Sequence, residues 1–246
     1  MLATRGEAHG SVICADQQEA GRGRLNRSWI TDRGRNLLFT ILLRYGDFSS
    51  IPALLTLKTG LAVSLAVEDL VPALAGQVLV KWPNDVMLNY RETQPASVKP
   101  EATFRKVAGI LTEADGNCVY IGVGVNVSQT EFPEEYRSKA GSIIQAFPAL
   151  PENARFVLLE KILSRLYEEI ECPLAYGEKT SALWRESLVE RLYKRGETVT
   201  FAEGSADSGS VVEGTLSGLG PLGELLIIPK GERKERAFVT GELRVY

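Results

Sequence analysis

The segment Ile121-Gly122-Val123-Gly124-Val125-Asn126-Val127 constrains this chain more than any other. A β-branched residue at every second position specifies a strand, whose side chains alternate between two faces. Gly122, Gly124 and Asn126 then share one face, and Val123, Val125 and Val127 pack behind them into a core. The glycine face is a bare trench ending in one amide. Glycine weakens a strand interior, so two on one face point to close approach by a ligand or another backbone, although a glycine pair serving packing alone fits the same pattern. The order does not match a dinucleotide-binding GxGxxG, because no third glycine opens a helix.

Three further segments carry charge. In Gly21-Arg22-Gly23-Arg24-Leu25-Asn26-Arg27-Ser28-Trp29, three arginines interleave with glycines, so guanidinium forks and backbone amides can converge on one anion. Asn26 tolerates a left-handed backbone, and Trp29 supplies a flat apolar lid. Taken alone, the loop is equally compatible with a solvated basic loop or an RGG-like nucleic-acid contact. Lys81-Trp82-Pro83-Asn84-Asp85 puts a cation at a strand end, then a turn presenting an amide and a carboxylate that could ligate Mg²⁺. An ordinary Pro-Asn-Asp turn explains its last three residues as well. In Lys106-Val107-Ala108-Gly109-Ile110-Leu111, a regular strand places Lys106, Ala108 and Ile110 on one face, with Ala108 leaving room beside the ammonium; an isolated lysine is usually just solvated.

Several classes of chemistry are removed. His9 is the only histidine, which excludes Ser/His/Asp triads and paired-histidine metal sites. Cys14, Cys118 and Cys172 have no metal-ligand spacing and are read as reduced and buried. The net charge of −3 provides no global attraction to nucleic acid or an anionic membrane. No apolar run is long enough to span a bilayer and the amino terminus lacks a secretory pattern, so a cytoplasmic location is expected.

With 246 residues, 44% of them hydrophobic, the chain can bury one large core and a small second one. Residues 10–15 and 36–45 read as strands flanking the arginine loop. Ile51 to Leu70 reads as a helix, with Leu54, Leu57, Leu61 and Leu65 on one stripe and Pro52 in its first turn. Val78 to Trp82, Val107 to Leu111 and Val119 to Val127 read as successive antiparallel strands. The polar stretch 90–104 reads as a hairpin insertion. Helices are expected over Asn153 to Ile170, with Asn153 as a cap, and over Ala182 to Leu192. After Tyr193 short β-rich runs, 198–201, 210–216, 224–228 and 236–239, suggest a small β-barrel.

In combination and order, these segments resemble the biotin–protein ligases, whose motifs are GRGRxGRxW, KWPND, KxxGIL followed by Glu, and GxGxN. The resemblance implies an α+β fold: a mixed sheet with helices, related to the catalytic domains of class II aminoacyl-tRNA synthetases, over residues 1–192, and a small Src-homology-3-like β-barrel over 193–246. It implies activation of biotin by MgATP to biotinyl-5′-adenylate, then transfer to one lysine of a biotin carboxyl carrier protein. Gln18, Gly21, Arg22, Gly23, Arg24, Arg27, Trp29, Lys106, Gly122 and Gly124 would enclose biotin and the adenylate, with Lys106, Arg22 and Arg24 acting on the reacting groups. Lys81, Asn84 and Asn126 would hold the nucleotide, and Asp85 the Mg²⁺. Asn26 stands where the family usually has glycine. Relatives begin this domain with a strand carrying a Ser/Thr-Asn biotin contact, which is expected to be missing here. Neither DNA nor membrane binding is expected; a homodimer is compatible with the reading. The alternatives are a lipoate or octanoyl ligase and a non-catalytic polyanion-binding module.

Overall fold

Apolar alternation in the strands, one largely buried helix and one amphipathic helix build the core of the chain. The computed structural model describes residues 6–47, 51–52, 54–90, 103–171, 178–204 and 210–244. Cys172, residues 1–5 and the interior of the 90–104 insertion lie outside the described residues, as do the side chains of Asn26 and Ile170. In chain order come β1 (Ser11–Ala15), a tight ribbon of β2 (Gly21–Arg22) and β3 (Ser28–Trp29), β4 (Leu37–Arg44), helix α1 (Leu55–Leu70), β5 (Val78–Lys81), β6 (Asp85–Tyr90), β7 (Thr103–Asp115) and β8 (Cys118–Val125). A short helix α2 (Ile143–Ala146) and the longer α3 (Ala154–Glu171) and α4 (Glu178–Glu190) follow.

Six strands form an antiparallel sheet in the order β1-β4-β8-β7-β6-β5. One face of its central strands is core: Leu37, Phe39, Ile41 and Leu43 of β4 and Val119, Ile121, Val123 and Val125 of β8 pack with α1 and α3. Helix α1 is buried on two sides. Ala62, Val63, Ala66 and Val67 meet this sheet, whereas Leu57 and Leu61 meet α4 and the C-terminal strands. The helix begins at Leu55, so Pro52 lies before its first turn, and Leu54 at its N-cap has a φ of 70°, a region leucine rarely enters. Asp85–Tyr90, expected only as a turn running into an insertion, is a full strand between β5 and β7. Of the described cysteines, Cys118 is buried but Cys14, on the edge strand β1, is exposed.

The C-terminal strands are β9 (Thr198–Glu203), β10 (Val211–Leu219), β11 (Leu225–Pro229), β12 (Arg236–Phe238) and β13 (Gly241–Arg244), in the order β12-β11-β10-β9-β13. Two strands separate β9 from β12, which would put them ~14 Å apart in a flat sheet. The Phe201 and Phe238 rings, one on each, nevertheless have centroids 4.7 Å apart. The sheet therefore curls around its aromatic core as a small barrel-like unit.

Trp82 ties the two sheets together. Its ring lies 5.8 Å from Phe201 and its indole N–H donates to the Gly223 carbonyl at 2.9 Å, both groups buried. Trp82→Phe removes the donor and leaves that carbonyl unsatisfied. The expected loss of stability is about 1–3 kcal/mol in urea unfolding.

Candidate functional site

The face of the six-stranded sheet opposite the helices, where β4, β8 and β7 run side by side, is the floor of a cleft of about 680 Å³. Its walls come from the arginine loop, the Lys81–Asp85 hairpin turn, Lys106, the segment 132–140, and residues 242–244 of β13. Gln18, Arg22, Gly23, Arg24, Arg27, Trp29, Lys81, Asn84, Asp85, Lys106, Gly122, Gly124 and Asn126 all line it. Gly21 does not; it pairs with Trp29 in the ribbon, so close that a side chain there would strike the Trp29 carbonyl.

The floor is barer than the strand pattern alone predicts. Gly124 pairs across the ladder with Gly109 of β7, which makes a glycine patch two strands wide. Trp29 lies on that patch: a methyl group added at Gly124 would sit 2.6 Å from its Cε2, and one at Gly109 3.2 Å from its Cζ3. Over Gly122 the floor is more open, the nearest neighbour of an added methyl being the Leu111 carbonyl at 3.4 Å. The Trp29 N–H is buried yet has no hydrogen-bond partner among the described residues, an unsatisfied donor that normally requires a reason. Leu25, and not the asparagine after it, takes the left-handed conformation that turns the loop (φ 55°, ψ 38°).

Lys106 reaches this face because β7 is irregular. The register against β6 shifts between Val86 and Met87, where Val86 pairs with Ala108 but Met87 with Lys106. The resulting bulge at Val107 breaks the alternation. Ala108 and Ile110 enter the core, while Lys106 turns to the side of Gly109. The small residue beside the ammonium is therefore Gly109, not Ala108: a methyl added at Gly109 would lie 3.1 Å from Lys106 Nζ. Asp85 fixes the ammonium by an ion pair of 2.6 Å, and the Trp29 ring lies 5.3 Å from it.

The remaining charges are arranged in tiers. Arg24 donates to Asn84 Oδ1 at 3.3 Å, and Asn84 Nδ2 in turn donates to the Ile110 carbonyl. Arg22 sits at the rim, largely exposed, 3.4 Å from Glu113. Lys81 is buried; burial lowers its pKa, while Asp85 and Glu242 act to raise it. Asn126 lies one residue past β8, and its side chain donates to the Gly141 carbonyl at 3.0 Å. Among the described residues no group of three or more His, Cys, Asp or Glu side chains is placed to hold a metal. Asp85 alone suits an ion that keeps its own waters and arrives with a polyphosphate, and it would have to share that carboxylate with Lys106.

The sequence did not single out Glu242. Both of its carboxylate oxygens accept from Arg27, at 2.7 and 2.5 Å, which fastens the arginine loop to the C-terminal sheet. The hydrogen bonds from Arg27 hold the Glu242 carboxyl below its usual range. Such a group stabilises the fold above its unfolded pKa, and the contribution disappears as the pH falls through the lowered, folded value. With Arg27 56% exposed the pair contributes about 0.5–1 kcal/mol. Glu242→Gln should cost that much at neutral pH, and the difference from the unmodified chain should vanish in unfolding measurements on acidification through the carboxylate range.

The site is a glycine-lined floor closed by an indole, with cations delivered from separate segments of an α+β fold. The chain belongs to the biotin/lipoate A/B protein ligase family, whose profile matches residues 4–126. It is 34% identical over 153 residues to the bifunctional ligase/repressor BirA of Bacillus spizizenii, covering 59% of this chain and 42% of that protein. It is 33% identical over 173 residues to the biotin–[acetyl-CoA-carboxylase] ligase of Mycobacterium tuberculosis, covering 69% of this chain and 56% of the relative. The chain thus spans about half the length of these two relatives. A solved biotin protein ligase from Aquifex aeolicus, in complex with biotin and ATP, superposes with a TM-score of 0.75 at 26% identity, covering 97% of this chain and 89% of that one. No helix among the described residues is long and apolar enough to cross a membrane.

Proposed function

We propose that this chain activates biotin with ATP to biotinyl-5′-adenylate and passes the biotinyl group to a lysine of a biotin carboxyl carrier protein in the cytoplasm. The observation that carries the reading is the placing of Lys106, by the bulge at Val107 and by Asp85, at the edge of the Gly109–Gly124 patch. That is where an acid lying on the open floor over Gly122, beside the Trp29 ring, would present its carboxylate.

The chemical obstacle is bringing a carboxylate up to a phosphate. Lys106 and Arg24 supply fixed positive charge where negative charge accumulates, in a cleft where such charge acts more strongly than in water, and Arg22 adds its charge from the exposed rim. Gln18, Gly23, Trp29, Gly122 and Gly124 hold the acid. Lys81, Asn84 and Asn126 face the nucleotide, and Arg27 joins them once a polyphosphate competes with Glu242 for its guanidinium. Mg²⁺ held by Asp85 would neutralise charge on the departing pyrophosphate. Trp29 and the loop exclude water from a mixed anhydride that hydrolyses readily. Residues 1–192 would carry this chemistry, with 193–246 as the appended barrel.

Calorimetry with biotin, then ATP, tests the reading. Biotin should bind saturably, lipoate and octanoate should fail to displace it, and ATP should bind to the biotin-loaded chain. Displacement of biotin by lipoate would favour the lipoate branch of the family. Binding of single-stranded nucleic acid that falls steeply with salt, without biotin binding, would favour a polyanion module.

A further inference from the structure

Behind the cleft runs a buried seam that neither the charge cluster nor the glycine floor uses. Asn36, at the end of the segment leaving the arginine loop, and Gln129, just beyond Asn126, are 0% and 1% exposed. The Asn36 amide donates to Gln129 Oε1 at 2.5 Å, and the same oxygen accepts from the Asp32 N–H at 3.3 Å. Asn36 Oδ1 accepts from the Val127 N–H at 3.3 Å, and the Gln129 amide donates to the Glu131 carbonyl at 2.8 Å. Each polar atom of the two side chains named here has a partner, as a buried polar pair requires.

The position of the seam gives it meaning. On one side is the base of the arginine loop, held also by Gly34 N–H to the Asp16 carbonyl and by Gln18 N–H to Thr31 Oγ1. On the other side the path continues through Asn126 to the Gly141 carbonyl, and from the Gly141 N–H to the carbonyl of Lys106. Hydrogen bonds, together with the Asn126–Val127 peptide link, therefore join the loop that would grip the acid to the backbone of the lysine at the reacting centre.

Building on the ligase reading above, we infer that Asn36 and Gln129 are positioning residues that hold the acid half and the nucleotide half of the cleft in register. Neither touches substrate; they act through the loop base and through Asn126. A pair of this kind affects the step in which the two substrates must meet more than the binding of either one, because an error of about 1 Å between reacting groups costs up to roughly 100-fold in rate while each half-site stays intact.

Gln129→Met keeps the length and volume of the side chain and removes its hydrogen bonds. At saturating biotin and ATP it should lower kcat for adenylate formation by roughly tenfold or more, with the KM of each substrate within about threefold of the unmodified chain and with cooperative unfolding retained. An unchanged kcat, or a kcat that falls only in proportion to the folded fraction, overturns the inference. A second measurement needs no variant: biotin alone should slow hydrogen exchange of the Val127 amide, which lies on the nucleotide side, and exchange there that ignores biotin also overturns it. If the unmodified chain makes no adenylate, the ligase reading fails and the inference with it; if it does and Gln129→Met matches it, only the inference fails.

Discussion

Gly124→Val is expected to abolish adenylate formation while leaving the chain folded. An added Cβ at Gly124 would sit 2.6 Å from the Trp29 ring, closer than carbon atoms approach without displacement. The strand cannot yield, since β8 is paired on both sides, to β4 and to β7. Trp29 must yield, because it ends a two-residue ribbon on a loop. The indole that closes the floor is then lost, and the arginines on the same loop move with it. A loss of roughly 100-fold or more in rate follows from displacement of that size. Tryptophan emission should shift to the red, and the shift should be absent in a Trp29→Phe background, because Trp82 and Trp184 are buried in the core shared with the C-terminal strands. Gly122→Ala makes the contrast. Its nearest neighbour is at 3.4 Å, so Trp29 should stay and emission should hold, while biotin binding weakens because the open part of the floor has been filled. Equal emission and rate in Gly124→Val and the unmodified chain would remove Trp29 from the site.

Lys106→Met should be nearly as damaging to the reaction. Methionine keeps the apolar stem against Trp29 and removes only the charge. Loss of one preorganised cation at a centre of accumulating negative charge is expected to slow adenylate formation by roughly 100- to 1,000-fold. Stability should fall by about 1–3 kcal/mol, since Asp85, only 18% exposed, loses its ion-pair partner. Lys106→Arg should not rescue the rate. An added methyl at Gly109 would come within 3.1 Å of Nζ, so a planar guanidinium has no room to turn there. Pre-steady-state adenylate formation separates these outcomes from any change in substrate binding.

What the sequence made legible was whatever depended on one segment at a time. The strand Cys118–Val125 announced itself through its valines, and α1 and α3 through their stripes, because burial of an apolar face is a local pattern. The four motifs stand in order along the chain, and the structure brings them to one cleft. Most of the missed features depend on a partner. The bulge at Val107 exists only against β6, so an isolated KVAGIL reads as regular alternation and sends Lys106 to the wrong face. Gly109 gains its meaning from Gly124 across the ladder, and Glu242 from Arg27, 215 positions away. Strand β6 was hidden because its first residue also completes a Pro-Asn-Asp turn signal. Leu25 in a left-handed conformation contradicts local preference, which favours the asparagine beside it. Departures of that kind are expected where a loop is shaped for a ligand rather than for its own stability.

The proposed activity of the cleft is to make biotinyl-5′-adenylate and pass its biotinyl group to a carrier lysine, with AMP leaving. The most direct test is to incubate the chain with biotin, MgATP and a biotin carboxyl carrier domain and to record the intact mass of the acceptor. The expected result is a single biotinyl addition to the acceptor that requires ATP and disappears with Lys106→Met. An unmodified acceptor, together with no biotinyl-5′-adenylate on a folded chain, would contradict it.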